Sequence, residues 1–334
     1  MSDTLNVDCL PLPDGGVLRV SRAGERLTLA LDGQPRMQLR LSPAQPGLAV
    51  SVLEYDNVDE ALWAAGYWLF ARHPECQRLL WSGLEAAPES RATGLVVPSS
   101  EGLESWRSQF WQQPRPWLRG QTSAGYPQRP VMANGVRFPQ RPPKPEGEVY
   151  RRYDVRLGGW ISLRTLDIEQ DLERYHRWQN SPRVAAFWEE EGSLEQHREH
   201  LQALAGDPHC LQLIGCFDDD PFGFFDVYWA REDRIGPYYD AGPYDRGIHM
   251  LVGEERYRGP HRVASWLPAL VHYLFLDDPR TQTLVSEPRW DNERMISHLQ
   301  RVGFHRQKDF DFPHKRASLM ALTRECFFDR CPLC

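Results

Sequence analysis

The chain has 334 residues, with 46 acidic against 39 basic side chains and a formal net charge of −7. At about 150 residues per domain this length suits two units, and 41% apolar with 25% charged residues is ordinary globular usage that excludes wholesale disorder. The acidic balance argues against a general nucleic-acid binder, and no run of 18 apolar residues offers a membrane span.

Residues 1–14 have neither the basic start nor the apolar stretch of a secretion signal, so a cytoplasmic protein is expected. The seven cysteines, Cys9, Cys76, Cys210, Cys216, Cys326, Cys331 and Cys334, are an odd set without framework spacing, which fits a reducing compartment. Cys331-Pro332-Leu333-Cys334 has a two-residue gap, but no second pair completes a zinc site, so no metal is expected.

In chain order, the pattern predicts short strands at 16–20, 27–31 and 37–41. An amphipathic helix follows over 58–72, with Leu62, Ala65, Gly66, Leu69 and Phe70 on one face. A strand at 94–97 and a helix over 102–111 complete a small N-terminal α/β domain, residues 1–111. Residues 112–148 hold eight prolines, which remove amide donors and fix φ, so this stretch reads as an extended linker.

Residues 149–334 form the second domain. Expected here are a strand at 160–164, a helix over 167–180 with Leu172, Tyr175 and Trp178 on one face, and a break at 180–183. A helix over 193–204 opens with Ser193 and Gln196 at capping-box spacing. Strands at 212–217, 222–230 and 248–253 follow, the last a central one, then a helix over 260–276 that Pro268 is expected to kink. A strand at 282–286, a helix over 292–301 stopped by Gly303, and strands at 305–310 and 317–322 close the chain. Alternation of this kind gives an α+β (α/β layered) fold, a mixed sheet with helices on its faces.

Arg256-Tyr257-Arg258-Gly259-Pro260-His261-Arg262 joins the central strand to the long helix. Gly259 permits close backbone approach, Pro260 suits the first helical position, and the helix N-terminus with three arginines can cradle a pyrophosphate. An exposed basic turn is the competing reading. His249 stands alone in an apolar strand, where it is either a satisfied core histidine or a catalytic one. Asp291, where a strand ends and a helix begins, reads equally as a helix N-cap. His314-Lys315-Arg316 and Asp245-Arg246 suit either an anion, such as an acceptor carboxylate or a nucleotide 3′-phosphate, or surface ion pairs.

Arg256 and Gly259 match the Arg/Gln-x-x-Gly-x-Gly/Ala phosphate loop of the acyl-CoA N-acyltransferase (GNAT-like) superfamily, from which His261 departs. Over residues 138–328 the chain resembles the siderophore-biosynthesis acyltransferases of that superfamily. The segments Phe138-Pro139-Gln140-Arg141-Pro142-Pro143, Gly147-Glu148-Val149-Tyr150-Arg151-Arg152-Tyr153-Asp154 and Ile214-Gly215-Cys216-Phe217-Asp218 carry the likeness, with Tyr228-Trp229-Ala230 and Phe310-Asp311-Phe312-Pro313-His314-Lys315-Arg316.

The resemblance implies a mixed, mostly antiparallel twisted sheet flanked by helices, with residues 1–111 a reduced, degenerate companion. It implies acetyl-CoA as co-substrate, held by Met250, Leu251, Val252, Arg256, Arg258, Gly259, Pro260, His261 and Arg262. It implies that His249 and Asp291 face each other across an acceptor pocket, one of them taking the acceptor's proton while a backbone amide of strand 250–252 stabilises the oxyanion. Trp188, Glu189, Tyr228, Trp229, Arg246 and Glu287 are the expected acceptor contacts.

The expected acceptor is a small N-hydroxy amine: N6-hydroxylysine, or alternatively N5-hydroxyornithine or an N-hydroxy diamine, with succinyl-CoA a second donor. Neither a nucleic acid nor a membrane is an expected partner; siderophore-pathway enzymes and a second copy of the chain are. A non-catalytic acyl-CoA-binding scaffold and a protein N-acetyltransferase are the rival readings.

Overall fold

A computed structural model of the chain describes residues 6–85, 88–120 and 122–333; Cys334, the last residue of the terminal pair, lies outside them. Strands β1 (Asn6–Pro11), β2 (Val17–Ala23), β3 (Arg26–Leu31), β4 (Gln34–Ala44) and β5 (Gly47–Tyr55) form an antiparallel meander. Helix α1 (Val58–Arg72) crosses to β6 (Arg78–Ser82), and α2 (Pro88–Ala92), β7 (Val97–Ser99), β8 (Gly102–Trp106) and α3 (Arg107–Phe110) follow. The order in this sheet is β1-β2-β3-β4-β5-β6-β8-β7. A small hairpin, β9 (Pro130–Ala133) with β10 (Val136–Pro139), lies in the proline-rich connector.

The second sheet opens with β11 (Glu148–Asp154) and β12 (Gly159–Thr165). Helices α4 (Ile168–Gln179), α5 (Pro182–Trp188) and α6 (Leu194–Gly206) lead to β13 (Cys210–Phe217), β14 (Asp220–Trp229) and β15 (Arg246–Val252). Then come α7 (Pro260–Asp277), β16 (Thr283–Ser286), α8 (Glu293–Val302), β17 (His305–Asp311), β18 (Arg316–Thr323) and α9 (Arg324–Arg330). Its order, β11-β12-β13-β14-β15-β16-β18-β17, repeats that of the first sheet strand for strand. In each sheet the parallel pairing is the fifth strand with the sixth, made across a helical crossover.

Local signals explain most of the second half. Asp167 caps α4 through the Glu169 and Gln170 amides, Ser193 and Gln196 form both bonds of a capping box, and Gly303 ends α8 at φ +118°. Pro182 does end α4, yet it also opens α5 as its first residue. α7 runs unbroken through Pro268.

Two expectations for the first half are corrected. Residues 102–111 are strand β8 followed by one helical turn, because residues 102–106 pair with β6 and β7. The strand expected at 94–97 is β7, at 97–99. The first half keeps eight strands but lacks a counterpart of α4–α6.

α1 is buried round most of its circumference, including Ala61, Leu62, Ala64, Ala65, Tyr67, Leu69, Phe70 and Ala71. The reason is a core shared between the halves. Tyr67 and Trp111 pack on Trp117 at 5.2 and 5.0 Å between ring centroids. His272 of α7 is joined to the Trp111 carbonyl at 2.6 Å and to the Tyr150 hydroxyl at 2.8 Å. Burial, opposed by the Trp111 carbonyl, brings His272 down to about 3, so it stays neutral.

Candidate active site

Strand β15 is the hinge of the site. It pairs with β14 from Gly223↔Val252 to Trp229↔Arg246, but with β16 only at Arg246↔Leu284 and Gly247↔Val285. Beyond Gly247 the two strands part. The Gly253 amide donates to Phe222 O at 2.9 Å, toward β14, so by strand alternation the peptide groups of Ile248, Met250 and Val252 face the gap. The Ile248 carbonyl is met there by Ser286 Oγ at 3.1 Å, and the Val252 carbonyl by Arg183 Nη2 at 2.7 Å. The Met250 amide thus points into the gap between β15 and β16.

At the outer end of the gap, the basic loop turns into α7. Gly259 sits at φ +128°, which favours glycine for its conformation; a Cβ there would meet only the ring of the exposed His261, at 2.9 Å from Cε1. Arg256 is paired with Asp220 at 2.6 Å and Arg258 with Glu255 at 2.7 Å. These pairs face solvent and are weak. The Arg262 guanidinium lies 4.8 Å from the Phe217 ring centroid and 5.4 Å from that of Tyr257, with no carboxylate in ion-pair range among the described residues.

At the inner end, His249 faces a cavity of about 380 Å³ that reaches Trp188, Glu189, Arg234, Arg289 and Lys315. Its Nε2 is 2.6 Å from Glu287 Oε1, and its Nδ1 is 3.4 Å from Asp226 Oδ2. Glu287 is 1% exposed, its other oxygen accepts the Tyr228 hydroxyl at 2.5 Å, and its backbone carbonyl accepts Lys315 Nζ at 3.0 Å. Burial works against charge on both groups. Against it, Glu287 and Asp226 hold the imidazole at about 10, and the imidazolium with Lys315 holds Glu287 at about 2. The pair is therefore an ion pair at neutral pH, with the proton on His249.

The His249–Asp291 couple expected from the sequence is not formed. Both ring nitrogens of His249 are taken by Glu287 and Asp226, whereas Asp291 is exposed and held by Arg289 at 2.6 and 3.1 Å. Nor does Asp291 cap the following helix; Asn292 does, through the Met295 amide.

Of the expected acceptor contacts, Trp188, Glu189 and Glu287 line the cavity, and Tyr228 supports it from beneath through Glu287. Trp229 and Arg246 lie elsewhere. The Trp229 ring is stacked between Arg141 at 4.3 Å and Arg246 at 4.6 Å, and Arg246 is sealed in a pair with Asp277 at 2.7 Å. Sequence reasoning missed Asp226 and Arg234, and gave Glu287 to the acceptor rather than to His249. Asp226 was accessible in principle, because it stands directly across the ladder from His249.

Away from the cavity, Asp207, His209 and Cys210 bring one ligand-type atom each within 4.8 Å of one another. Both nitrogens of His209 already meet carboxylates, Asp207 at 2.9 Å and Asp233 at 3.2 Å. No helix among the described residues is long and apolar enough to cross a membrane.

Residues 167–312 match the family model described as acetyltransferase (GNAT) domain. Over 259 residues the chain is 48% identical to N(6)-hydroxylysine O-acetyltransferase of Escherichia coli, a match covering 73% of this chain and 81% of that protein. Over 271 residues it is 42% identical to the N(5)-hydroxyornithine:cis-anhydromevalonyl coenzyme A-N(5)-transacylase of Beauveria bassiana, covering 80% and 57% respectively. Among solved structures, an uncharacterized protein from Bacillus halodurans superposes with a TM-score of 0.53 at 28% identity, covering 55% of this chain and 94% of that one.

Proposed function

Since this chain belongs to the GNAT acetyltransferase family and is an acyltransferase using an acyl-CoA co-substrate, we propose that it moves acetyl from acetyl-CoA to the hydroxylated side-chain nitrogen of N6-hydroxylysine. The product is a hydroxamate for siderophore assembly. One observation carries this reading: a cavity-facing imidazole paired with a buried carboxylate stands at the inner end of a strand gap whose outer end is a glycine-started helix.

In this reading Gly259, Arg262 and the start of α7 receive the pyrophosphate, and the acyl arm lies between β15 and β16. A hydroxylated amine is far less basic than an ordinary lysine amine, so it arrives neutral and needs placement more than deprotonation. Its nitrogen attacks the thioester carbon, the Met250 amide stabilises the oxyanion, and the C–S bond breaks. His249 enters as imidazolium and gives its Nδ1 proton, held by Asp226 only at 3.4 Å, to the departing sulfur. The neutral imidazole, still backed by Glu287, then takes the proton that the acceptor nitrogen releases, which restores the starting state. Asp291 is the alternative proton acceptor expected from the sequence; its hold on Arg289 makes it the weaker candidate.

The names of the two relatives place the acyl group on oxygen in one and on nitrogen in the other. Nitrogen is chosen here because the N-acyl product is a hydroxamic acid, which binds ferric iron through two oxygens, whereas the O-acyl product is an ester. N5-hydroxyornithine, an N-hydroxy diamine and succinyl-CoA are the alternatives, and one methylene of pocket length separates them by only about 1–3 kcal/mol.

The test is thiol release from acetyl-CoA with N6-hydroxylysine, followed by ferric-complex colour of the product. Release with colour is expected. Release without colour means O-acylation, and acetyl-CoA binding without turnover on any amine means a scaffold. The His249→Ala variant should lose turnover and keep CoA binding.

A further inference from the structure

The geometry points to Arg234 and Lys315 as the receptor for the α-carboxylate of an amino-acid acceptor, which makes them specificity-determining residues. The inference rests on the reading of the cavity given above. Arg234 comes from the β14–β15 loop and Lys315 from the β17–β18 turn, so two separate segments deliver a cation to one wall. Both lie against the same buried ring: Arg234 Cζ is 5.6 Å and Lys315 Nζ 5.7 Å from the centroid of Phe312. The turn is fixed by the Phe312 amide donating to the Lys315 carbonyl at 2.8 Å.

Neither cation is well neutralised. Lys315 Nζ has as its hydrogen-bond partner a neutral backbone carbonyl, that of Glu287. Arg234 has an ion pair of 3.9 Å to Glu287, whose same oxygen is already bonded to His249 at 2.6 Å. Two like charges beside one ring, facing a cavity and short of counter-charge, are stabilised by an incoming anion. Burial, partly offset by Glu287, pushes the Lys315 ammonium down, as expected of a desolvated cation awaiting a partner. Glu189, also lining the cavity, offers an acid for the α-ammonium group. The corresponding turns of the first half, at 45–46 and 100–101, carry no cation, so the clamp belongs to the half with the site.

The experiment compares N6-hydroxylysine with N-hydroxycadaverine, the same chain without the carboxylate, using acetyl-CoA as donor. A charged hydrogen-bonded contact is worth roughly 10- to 100-fold, and kcat/KM should favour hydroxylysine by about that factor. Arg234→Gln and Lys315→Met should each raise KM about tenfold for hydroxylysine and not for hydroxycadaverine, erasing the preference between them, while any change of kcat that arises through Glu287 should be common to both acceptors. Lys315→Arg should retain it. Equal losses on both acceptors, or no wild-type preference, would overturn the inference. If the enzyme acylates plain amines but no N-hydroxy amine, the proposed function fails, and the clamp is judged on lysine against cadaverine by the same criteria.

Discussion

The two sheets of this chain share one strand order and differ in three places. The fifth and sixth strands of the first half pair over four residues, from Leu48↔Leu79 to Ser51↔Ser82, whereas β15 and β16 pair over two and then separate. The crossover helix of the first half starts from Asn57 amid Asp56, Asp59 and Glu60, two of them tied to Arg36, whereas α7 starts from Gly259 with Arg256 and Arg258 before it and Arg262 in its first turn. An acidic helix start repels the phosphates that a basic one attracts. Finally, the turn between β2 and β3 stands where α4–α6 build the cavity wall in the second half. A common scaffold thus becomes a site by opening one ladder, reversing charge at one helix end and inserting one lid.

The sharpest way to break that contrast is to remove the buried carboxylate. Glu287→Gln should lower kcat by about 10²–10⁴-fold, measured by thiol release. The pH profile sharpens it further. With His249 held near 10, wild-type activity should show no limb at the ordinary imidazole value, and Glu287→Gln should introduce one nearer neutrality. The linkage has a definite sign. The raised His249 stabilises the fold fully below its unfolded value near 6.5 and ceases to as pH climbs to about 10; the lowered Glu287 stabilises above 4.5 and ceases to as pH falls to about 2.

Next in size, Phe70→Ala in the half without a site should cost about 3–5 kcal/mol, read by chemical denaturation. A single transition that also abolishes activity is expected, because the buried core crosses from α1 to α7; two separate transitions would mean the halves are independent. Gly259→Val should raise KM for acetyl-CoA about tenfold or more, since its φ of +128° disfavours any side chain. Smallest of all, Asp291→Asn should change kcat less than about threefold, the exposed pair with Arg289 being worth little.

Much of the second half was legible because its helices announce themselves by caps and its strands by apolar runs such as 213–217. The first half was harder. Its helix is apolar on nearly every side, so periodicity suggested one buried face where packing between halves buries almost all. Residues 107–110 resemble a longer helix until the pairing of 102–106 is known. Within the site, the basic loop, Gly259 and His249 could be read from residue type. The partner of His249 could not, because Glu287 and Asp291 stand four residues apart at one junction and only the parting of β15 from β16 decides between them.

The open ladder has a consequence for what can enter it. The backbone of Met250 and Val252 is an incomplete edge inside a finished molecule, and Arg183 already occupies one of its carbonyls. A thioester carried on an arm with its own amide groups can bridge that edge and release the arginine; a bare thioester of the same acyl group cannot. The carrier would then be selected by the missing stretch of ladder as much as by its phosphates, and each turnover would mend and reopen the sheet.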